Sequence, residues 1–513
     1  MTFSLYSEHS VQKLPAAPGE SLLTALQRAG VAVTAPCGGQ GNCGKCTVGI
    51  QTDAEWSSVL ACQTTVQDGM AVRLPKAGPL SIEYGNTGEV SVPADSGLSG
   101  YGVACDIGTT TVVCHLVDLA TGRILKTEGA GNAQRPYGDD VITRIRASID
   151  GQRPALTSAI RGQLTRMMSS LCSRAGIPAE QLSRMAVAAN TTMCHLFAGL
   201  APDSLGLAPF TPLSLFGEGV PARDLELPFD GEVYIAPAIA GYVGGDITAD
   251  LLAAGMDQAD QPVLLLDIGT NGEMAVGFGT RFICCATAAG PTFEGAQIRC
   301  GMTAAPGAVS AVEWADAAPV CSVIGGGEAV GLCGSGLVDA VALLLSLGVV
   351  DETGRMMDPD EDDGILPEAV PYLFTLDGAP AFRLTEQVCV TQADVRKLQL
   401  AKGAIAAGIR VLTAAYGVPV SGIHSLLLAG GFGSYIRPSS AARIGLIPEE
   451  LLPVTRSIGN AAAQGARAAL ISTQARKRLN QLQSSMEYIE LSGSAAFHDA
   501  YIDAMLFPEA DET

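Results

Sequence analysis

The sequence predicts a multi-domain α/β protein in which a small N-terminal domain precedes a larger, two-lobed module. Four cysteines lie in a glycine-rich stretch between positions 37 and 62, which predicts a compact domain built around a metal. From Tyr101 onward, short apolar runs alternate with helix-like segments, as is typical of α/β domains. The tetrapeptide Asp-Ile-Gly-Thr occurs at 106–109 and again at 267–270, each time after an apolar run, which indicates two related lobes.

Composition and charge place the chain among folded proteins that do not bind nucleic acid. Of its 513 residues, 48% are apolar and 16% are charged. The formal net charge is −21, and no basic run is present to neutralise phosphates. The N-terminus lacks the pattern of a signal peptide, and the apolar stretches are too short to span a bilayer. We therefore expect a cytoplasmic protein without membrane contact.

Residues 1–76 form the predicted N-terminal domain, and residues 77–100, rich in Pro, Gly, Ser and Asn, form a predicted linker. The domain's predicted elements are a strand, a helix and two further strands, at residues 3–6, 20–30, 47–50 and 70–74. The helix places Leu22, Leu23 and Leu26 on one face, and Gly30 predicts its end.

Cysteine spacing predicts a 2Fe–2S centre in this domain. The four candidate ligands follow a C-x5-C-x2-C-x15-C pattern and are Cys37, Cys43, Cys46 and Cys62. Plant-type 2Fe–2S centres use C-x4-C-x2-C with a distant fourth cysteine. The alternatives are a zinc site and unrelated free thiols. Zinc sites usually pair two C-x2-C units, and this stretch contains one. The glycines let the loop wrap the inorganic sulfides while its backbone N–H groups donate to them.

The two predicted lobes span residues 101–255 and 256–475, and residues 476–513 form a polar C-terminal tail. Each lobe begins with an apolar strand, the Asp-Ile-Gly-Thr turn and a second strand. A shared four-residue identity can arise by chance, but the shared strand–turn–strand context favours a duplication.

Each Asp-Ile-Gly-Thr turn has the residues of a phosphate-binding loop. An acidic residue at the end of a strand can hold a hydrated Mg²⁺, while hydroxyl and backbone N–H groups of the turn meet phosphate oxygens. A single such turn is more often a plain hairpin turn, and a pair of them is stronger evidence of a phosphate-binding site. The candidates are Asp106 and Asp267 for catalysis and, for the nucleotide, Gly108, Thr109, Thr110, Gly269, Thr270, Asn271 and Glu273.

A third segment, Leu-Ala-Gly-Gly-Phe-Gly-Ser at 428–434, predicts a buried strand, a glycine turn and a helix. Glycines allow a nucleotide to approach the backbone closely. The candidates here are Gly430, Gly431, Gly433 and Ser434. A G-x-x-x-x-G-K-[ST] loop is missing, which excludes a P-loop protein. The glycines of 325–336 lack the ribose-binding acid of a dinucleotide site.

Two further acids are catalytic candidates. Asp246 can orient an attacking water or cap a helix, and the sequence favours neither. Glu294 lies in Gly-Pro-Thr-Phe-Glu-Gly-Ala, a turn-rich segment that predicts a functional loop.

Together these motifs resemble two fold families and one functional family. The cysteine loop resembles β-grasp 2Fe–2S ferredoxins, and the paired hairpins with the glycine segment resemble the RNase H-like fold of the actin, sugar-kinase and chaperone ATPases (ASKHA). The ordered set also includes Asn-Thr-Thr-Met and Cys-Gly-Ser-Gly-Leu. From about residue 1 to residue 470, this order resembles the reductive activators of corrinoid proteins.

This resemblance implies an enzyme that passes an electron through its 2Fe–2S cluster to a Co(II) corrinoid on a partner of a methyltransferase or O-demethylase system. The product is the Co(I) state, and the uphill transfer is coupled to ATP and Mg²⁺. A ferredoxin or flavodoxin is the expected electron donor, and a homodimer is compatible with the family. The Cys37 to Cys62 set would hold the cluster.

Three other functions stay open at this stage. The chain can donate electrons to a different low-potential acceptor, act as a small-molecule kinase with a fused ferredoxin, or serve as a non-enzymatic ATP-binding redox sensor. A kinase would need a positioned carboxylate base near the γ-phosphate. A sensor would bind ATP without acceptor-dependent turnover.

Overall fold

The computed structural model describes most of the chain. The described residues are 1–6, 11–29, 31, 33, 39, 41, 46–52, 55–74, 92–361, 364–433 and 435–509. Cys37, Cys43, Ser434 and most of the predicted linker lie outside these residues.

The N-terminal domain is a five-stranded mixed sheet packed against one helix. The strands run in the order β2-β1-β5-β3-β4, with β1 parallel to β5 and the other neighbours antiparallel. This is the expected β-grasp arrangement. The elements are β1 (Thr2–Tyr6), β2 (Val11–Pro15), α1 (Leu22–Arg28), β3 (Thr47–Thr52), β4 (Glu55–Leu60) and β5 (Ala71–Arg73).

Helix α1 forms where the leucine pattern predicts it. The hydroxyl of Ser21 accepts a hydrogen bond from the Thr24 N–H and caps the first turn. Leu22, Leu23 and Leu26 are buried in the domain core. At the other end of the helix, the Gln27 side-chain amide donates to the carbonyl of Pro136, which attaches this domain to the first lobe.

The first lobe is built on a six-stranded sheet in the order β10-β11-β9-β6-β7-β8. Its elements are β6 (Tyr101–Ile107), β7 (Thr111–Asp118), β8 (Ile124–Gly131), α2 (Val141–Ala147), α3 (Arg153–Ala175), β9 (Leu182–Ala189), α4 (Thr191–Ala198), β10 (Gly219–Pro221), β11 (Glu232–Ile235) and α5 (Gly245–Ala254).

The second lobe has a six-stranded sheet in the order β22-β21-β12-β13-β14-β23 and two three-stranded sheets, β16-β15-β17 and β18-β19-β20. Its strands are β12 (Val263–Ile268), β13 (Gly272–Phe278), β14 (Arg281–Thr287), β15 (Ala308–Ala315), β16 (Ala318–Val323), β17 (Gly331–Leu332), β18 (Leu373–Leu376), β19 (Ala379–Arg383), β20 (Cys389–Thr391), β21 (Ser425–Ala429), β22 (Thr455–Gly459) and β23 (Met486–Tyr488). Its helices are α6 (Gly334–Ser346), α7 (Gln392–Tyr416), α8 (Gly430–Gly433), α9 (Pro438–Arg443), α10 (Ala461–Ile471), α11 (Thr473–Ser485) and α12 (Ala495–Ala504).

Five strands of each six-stranded sheet share one topology, which accounts for the repeated motif, while the sixth strands, β10 and β23, lie at opposite edges. In each, a central strand (β6 or β12) pairs antiparallel with the next strand and parallel with a later one (β9 or β21). Asp106 and Asp267 are the penultimate residues of the two central strands. Both aspartates therefore reach the same end of their sheet, as the predicted RNase H-like, two-lobed ASKHA fold requires.

The two lobes pack through α5 and α10. The apolar core between them takes residues from both sheets and both helices, among them Ala249, Leu251, Ala466 and Leu470. A Cβ added at Gly465 would lie 2.2 Å from the carbonyl oxygen of Ala249. The helices therefore approach so closely that α10 has room for no side chain at that position.

Helix α7 is long and apolar enough to cross a membrane by length and composition, but most of its apolar window is buried inside the protein. It packs on β13, β14 and α12 and supplies Leu398, Ile405, Ile409 and Leu412 to the core of the second lobe. Its apolar character therefore has a structural explanation.

We expect Gly465→Ala to destabilise the protein, because its new methyl group collides with the backbone of α5. Overpacking of this kind costs about 1–3 kcal/mol. Gly162→Ala in α3 is the matched control, since its Cβ would lie 3.4 Å from the flexible Arg166 side chain and alanine favours helix by about 1 kcal/mol. Thermal unfolding of both variants is the measurement. A Gly465→Ala midpoint equal to or above that of Gly162→Ala would contradict the close α5–α10 contact.

Candidate functional site

A cavity of about 310 Å³ lies between the two lobes, where the β6–β7 and β12–β13 hairpins face each other. Sequence analysis predicted much of its lining. The predicted residues that line it are Asp106, Gly108, Thr109, Thr110, Asp246, Asp267, Gly269, Thr270, Asn271, Glu273, Glu294, Gly430 and Gly431. The structure thus gathers residues from segments more than 300 positions apart into one cleft.

Glu294 joins the two hairpin turns. It ends a short 3-10 helix, Pro291–Glu294, and its carboxylate accepts hydrogen bonds from the hydroxyls of Thr110 at 2.6 Å and Thr270 at 2.7 Å. Burial raises the pKa of Glu294, while the two hydroxyl donors act in the opposite direction. One side chain therefore holds both predicted phosphate loops at a fixed separation.

Four acids of the cleft have strongly raised pKa values. Burial is the largest cause in each case. It raises the pKa of Asp246 to about 6, that of Asp106 to about 7 and that of Asp267 to about 8, and it raises that of Glu273 well above its usual range. Repulsion by Asp246 adds to the effect at Asp106, Asp267 and Glu273. These groups cannot all ionise unless a cation enters.

Asp250 also lines this cleft, together with those four acids and Glu294, and it was not predicted. It lies on α5, is 1% exposed and lines the cavity. Neither of its carboxylate oxygens has a hydrogen-bond donor among the described residues. Burial raises its pKa well above the usual range, and repulsion by Asp267 and Asp246 follows as the next cause. Its position, one helical turn after Asp246, was the available signal.

Two asparagines support the first hairpin. The Asn460 amide donates to Asp106 Oδ2 at 2.8 Å and crosses from the second lobe to the first. The Asn190 amide donates to the Thr109 hydroxyl at 3.0 Å, while its oxygen caps α4 through the Met193 N–H. The Asn-Thr-Thr-Met motif was visible in the sequence, whereas nothing local marks Asn460.

The first hairpin also rests on a buried arginine that sequence analysis missed. Arg144 donates to the Thr109 carbonyl at 2.5 Å and to the Gly138 carbonyl at 2.8 Å. Arg135, on the adjoining segment, lines the cavity and brings it a positive charge.

Asp246 lies in the first turn of α5, whose N-cap is Gly244. Its Oδ1 accepts a hydrogen bond from the Ile247 N–H at 2.9 Å, and the side chain lines the cavity. Gly244 and not Asp246 is therefore the N-cap residue, and the role of Asp246 in orienting an attacking water stays a prediction.

The glycine segment closes the cavity on the side of the second lobe. A Cβ at Gly430 would lie 2.1 Å from Asp267 Oδ1, whereas a Cβ at Gly431 would meet no atom within 4 Å. Phe432 stacks on Phe293 with ring centroids 4.7 Å apart, and both line the cavity. Gly433 packs behind the segment on Leu428, and Ser434 lies outside the described residues.

A further wall of the cavity is the start of α6. Gly334 and Ser335 lie in its first turn and line the cavity, and the Ser335 hydroxyl donates to the Ser310 carbonyl at 2.8 Å. A Cβ at Gly334 would lie 1.9 Å from the Phe293 carbonyl oxygen, so this position requires glycine. The Cys-Gly-Ser-Gly-Leu motif was the signal for this wall.

The cysteine site is described in part. The Sγ atoms of Cys46 and Cys62 lie 3.2 Å apart, and the Cys62 N–H donates to Cys46 Sγ at 3.5 Å. Gly39 and Gly41 have positive φ, and a Cβ at Gly41 would lie 2.6 Å from the Gln63 side chain. The two neighbouring thiols, the N–H donor to sulfur and the close packing at Gly39 and Gly41 fit a 2Fe–2S cluster.

Comparison with protein families divides the chain into three matched parts. Residues 6–67 match a 2Fe–2S iron–sulfur cluster binding domain. Residues 101–259 match the RACo middle region, and residues 261–513 match the C-terminal domain of RACo, the ASKHA domain.

Three similar proteins align with most of this chain. A corrinoid activation enzyme, RamQ of Eubacterium limosum, is 31% identical over 93% of this chain and 94% of its own length. A reductase of the Co(II) methylated amine-specific corrinoid protein of Methanosarcina barkeri is 28% identical over 68% of this chain and 66% of its own. A solved structure of a reductive activator for a corrinoid, iron–sulfur protein superposes with a TM-score of 0.72 and 29% identity, over 99% of both chains.

We expect Asp267→Asn to stabilise the nucleotide-free protein near pH 8. An acid whose folded pKa is raised destabilises the fold as pH rises from its unfolded pKa, near 4, to its folded pKa, here about 8. The neutral amide removes this destabilisation and also relieves repulsion at Asp106. We therefore expect the free energy of unfolding to rise by an amount on the order of 1 kcal/mol. Thermal unfolding at pH 6 and pH 8 measures it.

Asp339→Asn is the control for this change. Asp339 is also buried, but its Oδ2 accepts from Arg437 at 2.5 Å. Its loss should destabilise the protein at both pH values. If both variants were destabilised equally, the carboxyl group of Asp267 would not be lowering the stability of the folded protein.

Proposed function

Because the chain belongs to the family of reductive activators of corrinoid proteins, we propose that it transfers an electron from an N-terminal 2Fe–2S cluster to the Co(II) corrinoid of a partner protein. The product is Co(I), and the transfer requires ATP. One observation carries the proposal: the chain combines the cysteine domain and the two-lobed nucleotide cleft in the order of a relative that it matches over 93% of its length.

Cys37, Cys43, Cys46 and Cys62 would hold the cluster. When bound, the cluster accepts and releases one electron at a time. The chain's own contribution is the N–H of Cys62, which donates to Cys46 Sγ, and the Leu22–Leu26 core beneath the site, which keeps water from one side.

The cleft would bind ATP with Mg²⁺. Five facing carboxyl groups repel a triphosphate unless a divalent cation stands between them. Among the described residues, no three His, Cys, Asp or Glu side chains converge on one point as a protein-only metal site. Asp106 and Asp267 would hold a Mg²⁺, which would supply positive charge between the carboxyl groups and the phosphates.

The remaining residues of the cleft have complementary roles in this proposal. The hydroxyls and backbone of residues 108–110 and 269–271, with Glu273, contact the phosphate chain. Gly430 and Gly431 make room for the nucleoside beside the Phe293–Phe432 stack, and Gly433 and Ser434 are proposed as nucleotide-binding residues of the same segment. Asp246, at the start of α5, orients the water that attacks the γ-phosphate.

Nucleotide can drive an uphill electron transfer only by binding one conformation, or one complex, better than another. Glu294 is suited to this task because its hydrogen bonds to Thr110 and Thr270 come from both lobes. Any change in the separation of the hairpins must break or reshape these two bonds. Closure of the cleft on ATP would therefore change the structure of both lobes together.

The partner is a corrinoid protein of a methyltransferase or O-demethylase system, and a ferredoxin or flavodoxin is the donor that we propose. The net charge of −21 favours a partner with a positive docking surface. We also propose a cytoplasmic location, a homodimer, and functional units at 1–76, 101–255 and 256–475, with 77–100 as linker and 476–513 as a C-terminal segment whose β23 and α12 pack on the second lobe.

We expect Co(I) to form only when the holo-protein, a reductant, a Co(II) corrinoid protein and Mg-ATP are mixed without oxygen. Visible spectroscopy follows the Co(I) band. Cys62→Ser should abolish the signal, because a cluster ligand is lost, while leaving ATP binding intact. Cys321→Ser, a change of a thiol outside both sites, is the matched control and should behave like the wild type.

Two results would count against the proposal. Co(I) formation at the same rate without ATP would remove the coupling. An intact 2Fe–2S spectrum with no corrinoid reduction, across several corrinoid proteins, would favour a different acceptor or a sensor.

We expect Glu294→Ala to raise the ATP concentration needed for half-maximal Co(I) formation by roughly tenfold or more, since two charge-assisted hydrogen bonds between the lobes are lost. Titration of the Co(I) rate with ATP is the measurement. Glu361→Ala, which removes an exposed ion pair with Arg355, should leave the titration unchanged. An unaltered ATP dependence in Glu294→Ala would mean that the bridge between the hairpins does not serve coupling.

A further inference from the structure

A second pair of cysteines lies outside the cluster domain, in the second lobe. The Sγ atoms of Cys300 and Cys389 are 4.0 Å apart, although 89 positions separate them in the chain. Both residues are partly exposed. A disulfide has an S–S distance of about 2.05 Å, so closing the pair requires a sulfur movement of about 2 Å.

The pair connects two structurally important segments. Cys300 lies six residues after Glu294, in the loop that continues to the cavity residues Met302 and Thr303. Cys389 begins β20, which leads directly into α7. The two segments are already in contact, since the Arg299 N–H donates to Asp394 Oδ1 at 2.8 Å.

The two thiols differ in reactivity. A hydrogen bond from Cys389 lowers the pKa of Cys300 to about 6, with Arg299 acting in the same direction and Asp394 against it. The same interaction raises the pKa of Cys389. Cys300 is therefore largely a thiolate at neutral pH, which makes it the nucleophile of the pair.

Other cysteines of the described chain lack this combination. Cys105 and Cys114 lie 2.9 Å apart on neighbouring strands, but both are fully buried and burial raises the pKa of Cys105. Cys321 is partly exposed, but burial raises its pKa as well. Proximity, access and an activated thiolate coincide at Cys300.

We propose that Cys300 and Cys389 form a thiol–disulfide site that reacts with low-molecular-weight disulfides and thereby locks the Glu294 loop onto the start of α7. The Cys300 thiolate attacks the small disulfide, forms a mixed disulfide and releases one thiolate. The Cys389 sulfur then attacks Cys300 Sγ, displaces the second thiolate and loses its proton. In total, two protein thiols are oxidised to one disulfide and one small disulfide is reduced to two thiols.

The lock has a consequence for the cleft. Glu294 holds Thr110 and Thr270, and its loop must move if the hairpins change their separation. A covalent bond at Cys300 limits that movement. The oxidised protein should therefore bind ATP with an altered affinity, by roughly fivefold or more.

The test uses the full-length holo-protein, prepared without oxygen and treated with glutathione disulfide. Peptide mapping under non-reducing conditions detects the cross-link, and the visible spectrum reports that the 2Fe–2S centre is intact. Wild type and Cys321→Ser should yield a peptide pair joined through Cys300 and Cys389. Cys389→Ser should stop at a glutathione adduct on Cys300, and Cys300→Ser should leave Cys389 unmodified.

Equilibrium ATP binding is then compared before oxidation, after oxidation and after treatment with dithiothreitol. A change of the expected size that dithiothreitol reverses supports the proposal. The proposal fails if wild type yields no Cys300–Cys389 cross-link, if Cys389→Ser is modified faster elsewhere than at Cys300, or if the cross-link leaves ATP affinity unchanged. These readouts do not depend on corrinoid reduction, so failure here is distinguishable from failure of the proposed function.

Discussion

Mutual repulsion among buried carboxyl groups is the constraint around which the cleft is organised. Asp106, Asp246, Asp250, Asp267 and Glu273 line one cleft with limited access to water. Burial raises the pKa of each, and repulsion by neighbouring acids adds to the effect at all of them except Asp246. The carboxyl groups are thus held together at a cost in stability, which a bound cation would relieve. Such a site would bind a cation strongly, because binding would also stabilise the folded protein.

This constraint also explains the support around each hairpin. Carboxyl groups that repel one another need rigid backbones, or the hairpins would separate. The first hairpin is held by Arg144 and Asn190, and Glu294 ties it to the second. Asn460 adds a donor to Asp106 from the opposite lobe. The polar network therefore positions the acids and also connects the lobes.

Local patterns were sufficient to predict the fold class and the two hairpins and the glycine segment that line the cavity. A strand followed by Asp-Ile-Gly-Thr is a complete local unit, so both hairpins, with Asp106 and Asp267, were visible in the sequence. Strands β2 and β4 were not predicted, because both are largely exposed and show little apolar alternation. Sequence analysis also did not predict the roles of Asn460, Arg144 and the Cys300–Cys389 pair. Each of these contacts joins residues far apart in the chain, and such pairing leaves no local pattern.

The contact between α5 and α10 has a mechanical consequence. Gly465 meets the Ala249 backbone directly, and the surrounding face of α10 consists largely of alanines, such as Ala462, Ala466 and Ala469. Long side chains would interlock across this boundary and resist sliding. Methyl groups and bare backbone form a smooth surface instead, so small shear movements disturb few rotamers. The interface between the lobes is thus tightly packed, and its small side chains are compatible with sliding of α10 along α5 through small distances.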